Sequence, residues 1–140
     1  MEKYSITLLR VALAIVYIWF GSLKMAGISP AEELVEKTVY WFKPEIFIPI
    51  LGLCEIIIGL GLLVKRFIPI TIVLLLLHMI VAFFPMFVVE KACFDTFPYR
   101  PSLVGQYIIK NIVLITGALV VASKYNVKNY SKNNLNKDLI

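Results

Sequence analysis

Four long apolar segments divide this chain into a regular pattern. They cover residues 5–23, 46–64, 68–89 and 103–123, and shorter polar stretches separate them. About 20 apolar residues are enough for a helix to cross a bilayer, so each segment is long enough to span a membrane. The pattern predicts an all-α integral membrane protein built as a four-helix bundle.

The four segments leave little of the chain for a soluble module. Of its 140 residues, 60% are hydrophobic, and the mean hydropathy is +0.86. We therefore expect one transmembrane domain over residues 1–124. The first segment is longer than the apolar core of a typical signal peptide and lacks a good cleavage site, so we expect it to be retained. The Asn- and Lys-rich tail, residues 125–140, is expected to be disordered or a short frayed helix.

A shorter amphipathic helix is predicted between the first two segments. The stretch Ser29-Pro30-Ala31-Glu32 has the form of a capping box with proline at the first helical position. The residues around and after it separate into one largely apolar side and one charged side: Leu34, Val35, Thr38, Val39, Trp41 and Phe42 against Glu33, Glu36, Lys37 and Lys43. This pattern is typical of a helix that lies on the membrane surface. Such a helix can brace the bundle or act as a lid over a central cavity.

The sequence also predicts one kink and two free thiols. Pro85 lies inside the third segment, where a proline removes a backbone hydrogen bond and should kink the helix. Cys54 lies inside the second segment, Cys93 lies in the loop after the third, and they lack the C-x-x-C spacing of a redox motif. At 1.5 Å per residue Cys54 is roughly 12 Å below the membrane surface, so we expect both thiols to be unpaired.

The net charge of +5 does not indicate a nucleic-acid-binding protein, because the charges lie in short loops and a tail. The side that carries both termini has eight basic residues: Lys3, Arg10, Lys65, Arg66, Lys124, Lys128, Lys132 and Lys137. The opposite side has five, together with six of the nine acids: Lys24, Lys37, Lys43, Lys91 and Arg100, with Glu32, Glu33, Glu36, Glu45, Glu90 and Asp95. By the positive-inside rule, we expect both termini in the cytoplasm.

Each segment carries one basic or acidic residue well inside it. These residues are Arg10, Glu55, His78 and Lys110, in the order of the segments. At 1.5 Å per residue they lie roughly 8, 14, 15 and 20 Å from the cytoplasmic edge. Arg10 and Lys110 are therefore each about one helical turn from Glu55, and both side chains are expected to reach it. The chain has a single histidine, so we expect no metal or haem site at His78.

Helical spacing indicates which residues share a face. Arg10, Tyr17 and Lys24 are separated by sevens in the first segment, and Gly52 and Glu55 share a face in the second. Small residues let helices approach closely in a bilayer, so the polar and small faces are expected to turn inward.

Three interpretations of the inward polar residues follow. They can form a buried Glu55–Arg10–Lys110 network that only fixes the bundle. They can instead line a cavity for a small polar or anionic head group, with Lys110, Gln106 and Lys24 around its outer half. Alternatively, Glu55 and the histidine of the third segment can form a proton relay.

Three strings of the sequence resemble a known family. They are residues 10–24, 52–63 and 105–119, which read RVALAIVYIWFGSLK, GLCEIIIGLGLL and GQYIIKNIVLITGAL. In this order and spacing they resemble the DoxX-like superfamily of bacterial four-helix membrane proteins, nearest its DUF417 branch. The resemblance implies a four-helix bundle in the bacterial inner membrane. It also carries over the polar core of the family: Arg10, Lys24, Glu55, Gln106 and Lys110.

The resemblance implies redox chemistry as well. The superfamily includes the membrane subunit of a thiosulfate:quinone oxidoreductase and a subunit of a mycobacterial redox complex. By this resemblance, the candidate cofactor is a quinone that is not covalently bound. Members of the DUF417 branch are associated with resistance to reactive chlorine. His78 and the lack of a long outer insertion depart from that branch.

The resemblance and the residues together leave three function classes. In a quinone-linked redox subunit, Lys110 or Gln106 would donate to the quinone and Glu55 would exchange protons. The sequence has no flavin, haem or iron–sulfur motif, so electrons would come from a partner protein or a bound thiol. The other classes are a non-enzymatic accessory subunit of a larger membrane complex and a small-anion transporter. We therefore expect a protein partner or a homo-oligomer, in addition to the lipid bilayer.

Overall fold

The computed structural model describes residues 2–29, 32–38, 41, 43–96 and 99–137. Within these residues the backbone forms α-helices, one short 3₁₀ turn and one β-hairpin. In chain order the elements are α1 (Glu2–Met25), α2 (Glu32–Thr38), α3 (Pro44–Leu63), the 3₁₀ turn (Lys65–Phe67), α4 (Ile68–Phe83), α5 (Pro85–Val88), α6 (Glu90–Cys93), β1 (Phe94–Thr96), β2 (Arg100–Pro101), α7 (Leu103–Ile109) and α8 (Asn111–Lys137).

Among the described residues, four helical stretches are long and apolar enough to cross a membrane. They are Tyr4–Met25, Pro44–Leu63, Lys65–Val88 and Leu103–Tyr125, and they correspond closely to the four predicted segments. Large apolar side chains are exposed on every one of them, among them Leu8, Trp19, Ile57, Leu77 and Val113. An exposed apolar surface of this kind suits lipid rather than water. The predicted all-α membrane bundle is confirmed.

Helices α1 and α3 touch backbone to backbone. A Cβ atom added to Gly52 would lie 2.7 Å from the carbonyl oxygen of Gly21, and one added to Gly59 would lie 2.9 Å from the carbonyl oxygen of Ala14. Real side chains do not fit at such distances, so only glycine permits this contact. Since residue 21 meets residue 52 while residue 14 meets residue 59, the two helices are antiparallel and their register is fixed.

The two ends of the bundle are filled differently. Near the chain termini, buried apolar side chains pack together into one core: Leu13, Ala14, Ile58, Leu62, Ile72, Leu75, Ala118 and Val121. The opposite end carries α2 and the β-hairpin, and we call it the loop end. The loop end contains a cavity rather than a continuous core.

Two helix interruptions lie beside this cavity. The third span is interrupted at Phe84, between α4 and α5 and directly before Pro85, where the sequence predicted a kink. The fourth span breaks at Lys110, between α7 and α8, where neither proline nor glycine marks the sequence. Beyond its junction with α8, α7 packs mainly against α6 and β2. The fourth span therefore changes its packing partners at the level of the cavity.

Helix α2 has the predicted amphipathic character. Val35 and Thr38 are buried, whereas Glu33, Glu36 and Lys37 are exposed. The backbone N–H of Glu32 donates to the carbonyl oxygen of Ser29 at 3.1 Å, which begins the first turn. Other residues of the predicted helix lie outside the described residues: Pro30, Ala31, Val39 and Phe42.

Two features of the fold were not predicted. Strands β1 and β2 form an antiparallel hairpin in which Phe94 pairs with Pro101 and Thr96 with Arg100. Helix α8 continues to Lys137, through the region predicted to be disordered or a short frayed helix.

Both cysteines are free thiols. Cys54 is exposed on α3, whereas Cys93 is fully buried, with its Sγ 3.8 Å from the carbonyl oxygen of Pro85. Burial raises the pKa of the Cys93 thiol, because an apolar environment disfavours the thiolate. Cys93 therefore acts as a small apolar side chain that packs the loop end.

The α1–α3 contact gives a prediction for stability. Replacing Gly52 by alanine should destabilise the protein by about 1–3 kcal/mol, because the new methyl group must push α1 and α3 apart. The matched control is Gly117→Ala on α8, where an added Cβ would have no neighbour closer than 3.4 Å. Thermal unfolding in detergent, followed by tryptophan fluorescence, measures both variants. Equal melting temperatures for the two variants would contradict the backbone contact.

Candidate functional site

The loop end of the bundle encloses a cavity of about 570 Å³. All four spans and α2 contribute to its wall, which is mainly apolar: Phe20, Val35, Leu51, Met79, Val104, Ile108 and Leu114. A volume of this size, with apolar walls and few polar groups, is typical of a pocket for a small organic molecule.

The polar groups of the cavity are centred on Glu55. The Lys24 Nζ donates to both carboxylate oxygens of Glu55 at 2.7 Å. The His78 Nε2 lies 3.1 Å from Oε1 of the same carboxylate. The three side chains are 10%, 7% and 9% exposed for Lys24, Glu55 and His78. We call these three residues the polar triad. The bond from Lys24 to both oxygens of Glu55 is charge-assisted, and such bonds are among the stronger polar contacts in proteins.

The register of α1 and α3 explains how Lys24 reaches Glu55. The glycine contacts place Ile18 of α1 level with Glu55 of α3. Lys24 is six residues further along α1, so its backbone lies roughly 9 Å closer to the loop end than Glu55. The long lysine side chain covers this distance by extending back into the bundle. Its ammonium group is thus buried, although its backbone lies at the end of the helix.

Arg10 lies away from the polar triad. One interpretation of the sequence paired Arg10 and Lys110 with Glu55, and another placed Glu55 with His78; the structure pairs Glu55 with Lys24 and His78. By the same register, Arg10 is roughly 12 Å from the level of Glu55, on the side of the chain termini. The Arg10 Nε is buried and has no hydrogen-bond partner among the described residues.

Lys110 and Gln106 lie at the break in the fourth span. Lys110 is exposed and lines the cavity, with its Nζ 3.8 Å from the centre of the Tyr107 ring and 5.8 Å from that of Phe20. The faces of aromatic rings attract cations, so these two rings stabilise the ammonium group of Lys110. Gln106 is exposed outside the cavity wall, and its amide nitrogen donates to the carbonyl oxygen of Pro101 at 3.5 Å.

Tyr17 belongs to the site although sequence reasoning did not select it. Its side chain is 3% exposed, lines the cavity and packs edge-on against His78, with ring centres 5.8 Å apart. The Tyr17 hydroxyl and the His78 Nδ1 are buried and have no hydrogen-bond partner within the described part of the chain. The sequence did contain an indication of this position, because Tyr17 and Lys24 lie on the same face of the first helix.

This arrangement suits a molecule with an apolar body and a polar head. An unsatisfied buried donor or acceptor costs about 1–3 kcal/mol, so an occupant that bonds to the free atoms is favoured. Within the described residues, no group of three or more His, Cys, Asp or Glu side chains could hold a metal ion.

Residues 5–89 match the sequence model of the DoxX family. The chain belongs to the DoxX family. The match runs from α1 to the end of the third span, so it includes every member of the polar triad. No curated protein and no solved structure matches the chain. The family and the four apolar helices make this a DoxX family membrane protein that crosses the bilayer several times.

The polar triad of this DoxX family protein gives a prediction for stability. Replacing Lys24 by methionine leaves the Glu55 carboxylate buried without its cation, and should destabilise the protein by about 3–5 kcal/mol. The matched control is Lys37→Met, because Lys37 also bonds a carboxylate, that of Glu33, at 2.8 Å, but on an exposed surface. Solvent screens that pair, so its loss should change stability far less.

Thermal unfolding in detergent compares the two lysine variants. Adding Glu55→Gln to Lys24→Met removes the unpaired charge and should recover part of the lost stability. If Lys24→Met unfolds at the same temperature as Lys37→Met, the buried ion pair does not stabilise the bundle.

Proposed function

We propose that this DoxX family protein is the quinone-binding membrane subunit of a redox system. The observation that carries the proposal is the polar triad at the floor of a mainly apolar cavity of about 570 Å³. A quinone combines an apolar ring with oxygen atoms that need hydrogen-bond partners. The apolar walls suit the ring, and the polar groups beside the triad suit the oxygens.

The position of the cavity supports entry of the quinone from the bilayer. Val81 and Phe84 of the third span and Tyr107 and Val113 of the fourth line the cavity, and all four are also exposed. The cavity wall therefore reaches the lipid-facing surface between these two spans, beside both helix breaks. A hydrophobic molecule dissolved in the membrane can enter there without crossing water.

The chemistry divides between this chain and a partner. Reduction of a quinone to a quinol requires two electrons and two protons. A partner protein or a bound small thiol supplies the electrons, and this chain supplies the binding site. Glu55 and His78 provide groups that exchange protons near the quinone, because both are ionisable and lie at the cavity floor.

We propose the bacterial inner membrane as the location, with both termini in the cytoplasm and the loop end outside. The excess of basic residues on the side of the termini supports this orientation. Residues 1–124 would form the membrane domain and residues 125–140 a basic tail. The three strings around residues 10–24, 52–63 and 105–119 support a place nearest the DUF417 branch.

One observation favours a second candidate, a non-enzymatic accessory subunit. Lys24 already bonds both oxygens of Glu55, so the ion pair is complete without any ligand. In that case the triad only fixes the bundle within a larger membrane complex. The same pairing gives less support to anion transport, because Glu55 neutralises the buried ammonium of Lys24.

Mass spectrometry of the protein extracted gently from its native membrane tests the proposal, with proteins and lipids measured together. We expect a stoichiometric quinone and a redox partner with the wild type. Ala82→Phe should remove the quinone, because Ala82 lines the cavity and a phenyl ring would fill it. The matched control, Ala12→Phe, adds the same ring at an exposed position of α1 and should retain the quinone.

The quinone proposal fails if the wild type carries no quinone, or if Ala82→Phe retains as much as Ala12→Phe. A stable protein assembly without quinone would favour the accessory subunit.

A further inference from the structure

Two buried polar atoms in the cavity wall have no hydrogen-bond partner among the described residues. They are the hydroxyl of Tyr17 and the Nδ1 of His78. The Tyr17 side chain is 3% exposed and that of His78 is 9% exposed. Both residues line the cavity, and their rings are in edge-on contact. Two buried polar atoms without a protein partner therefore belong to neighbouring residues of the cavity wall.

The contact with Glu55 fixes which nitrogen of His78 carries the proton. The His78 Nε2 lies 3.1 Å from a carboxylate oxygen, so Nε2 must donate, because two acceptors would repel each other at this distance. The charge of Glu55 is already neutralised by Lys24.

The other polar groups around the cavity add no negative charge. Lys110 adds a further positive charge at the cavity wall, and Asn111 beside it is neutral, as are Thr38 and Ser29 from the region of α2. In a neutral imidazole whose Nε2 donates to Glu55, Nδ1 is the acceptor. The site thus combines an acceptor at His78 with a hydroxyl donor at Tyr17.

We infer that Tyr17 and His78 hold one hydroxyl oxygen of the ligand, so that the site prefers a quinol to the corresponding quinone. A phenolic hydroxyl satisfies both atoms, because it donates its proton to Nδ1 and accepts a hydrogen bond from Tyr17. A quinone carbonyl has no proton and satisfies only Tyr17. This inference rests on the proposed function, and it names the oxidation state that the site recognises.

The polar triad has a positioning role in this scheme. Glu55 orients the imidazole and fixes its tautomer through Nε2, and Lys24 holds Glu55 in place from the opposite side. Neither side chain needs to contact the hydroxyl.

The preference for the quinol has a thermodynamic consequence. If the quinol binds tenfold more tightly than the quinone, the two-electron potential of the bound couple rises by about 30 mV. The bound quinone then accepts electrons more readily than a quinone in the lipid. This direction fits a site that receives electrons from a partner.

Binding of decylubiquinone and decylubiquinol to the protein in lipid nanodiscs tests the inference. Dissociation constants are measured without oxygen, by quenching of tryptophan fluorescence. We expect the wild type to bind the quinol about tenfold more tightly than the quinone, the difference of roughly one hydrogen bond.

Two variants separate the roles of the two atoms. His78→Phe keeps a ring against Tyr17 but has no acceptor nitrogen, and Lys24 still bonds both oxygens of Glu55, so the preference for the quinol should disappear while quinone binding persists. Tyr17→Phe removes the donor to the oxygen and should weaken both forms about equally. The control is Tyr4→Phe on the same helix, which loses a hydroxyl that is 79% exposed and should change neither constant.

The outcomes distinguish this inference from the proposed function. Equal affinity of the wild type for both forms, or an unchanged preference in His78→Phe, overturns the inference while quinone binding stands. If the wild type binds neither form, the proposed function fails and the inference fails with it. A larger effect of Tyr4→Phe than of Tyr17→Phe would also overturn it.

Discussion

The structure depends on how the carboxylate of Glu55 is accommodated at membrane depth. An isolated acid at the centre of a membrane helix costs about 2.5–3.5 kcal/mol on insertion scales, so it requires a partner. The partner is Lys24, whose backbone lies a full helical turn or more toward the end of α1. The pairing is possible because Gly21 and Gly52 let the two helices touch and hold one register. His78 adds the third span to the same contact, so a single acid connects three of the four spans.

The same arrangement explains why one half of the bundle is packed and the other is open. Near the termini, apolar side chains from all spans fill the interior. At the loop end, the regular helix of the third span is interrupted at Phe84 and that of the fourth span at Lys110. Helix α2 and the β-hairpin cover this end. The cavity is therefore bounded by continuous α1 and α3 on one side and by interrupted helices on the other.

Much of the fold could be predicted from the sequence because it depends on local patterns. Hydropathy located the spans, Pro85 indicated a kink, and the alternation of charged and apolar residues indicated α2. The partners of Glu55 could not be predicted, because they depend on helix register and on the direction of a long side chain. Depth counted along each helix placed Lys24 at the membrane edge, yet its ammonium group is buried beside Glu55. The break at Lys110 also had no proline or glycine to indicate it. Tyr17 was placed on the inward face, but its hydroxyl is uncharged near neutral pH, so the pattern of charged residues did not select it.

The backbone contact between α1 and α3 also determines how the protein can deform. Two helices that meet through glycines, without intervening side chains, cannot slide or separate by a small amount without steric overlap or an empty gap. Helices α1 and α3 therefore move as one rigid unit. The third and fourth spans are less constrained. Their helical hydrogen-bond ladders are already interrupted at Phe84 and Lys110, so the backbone dihedral angles there can change without breaking a continuous ladder. A molecule that enters the cavity would therefore displace the third and fourth spans. Helices α1 and α3, which carry the Lys24–Glu55 pair, would keep their positions.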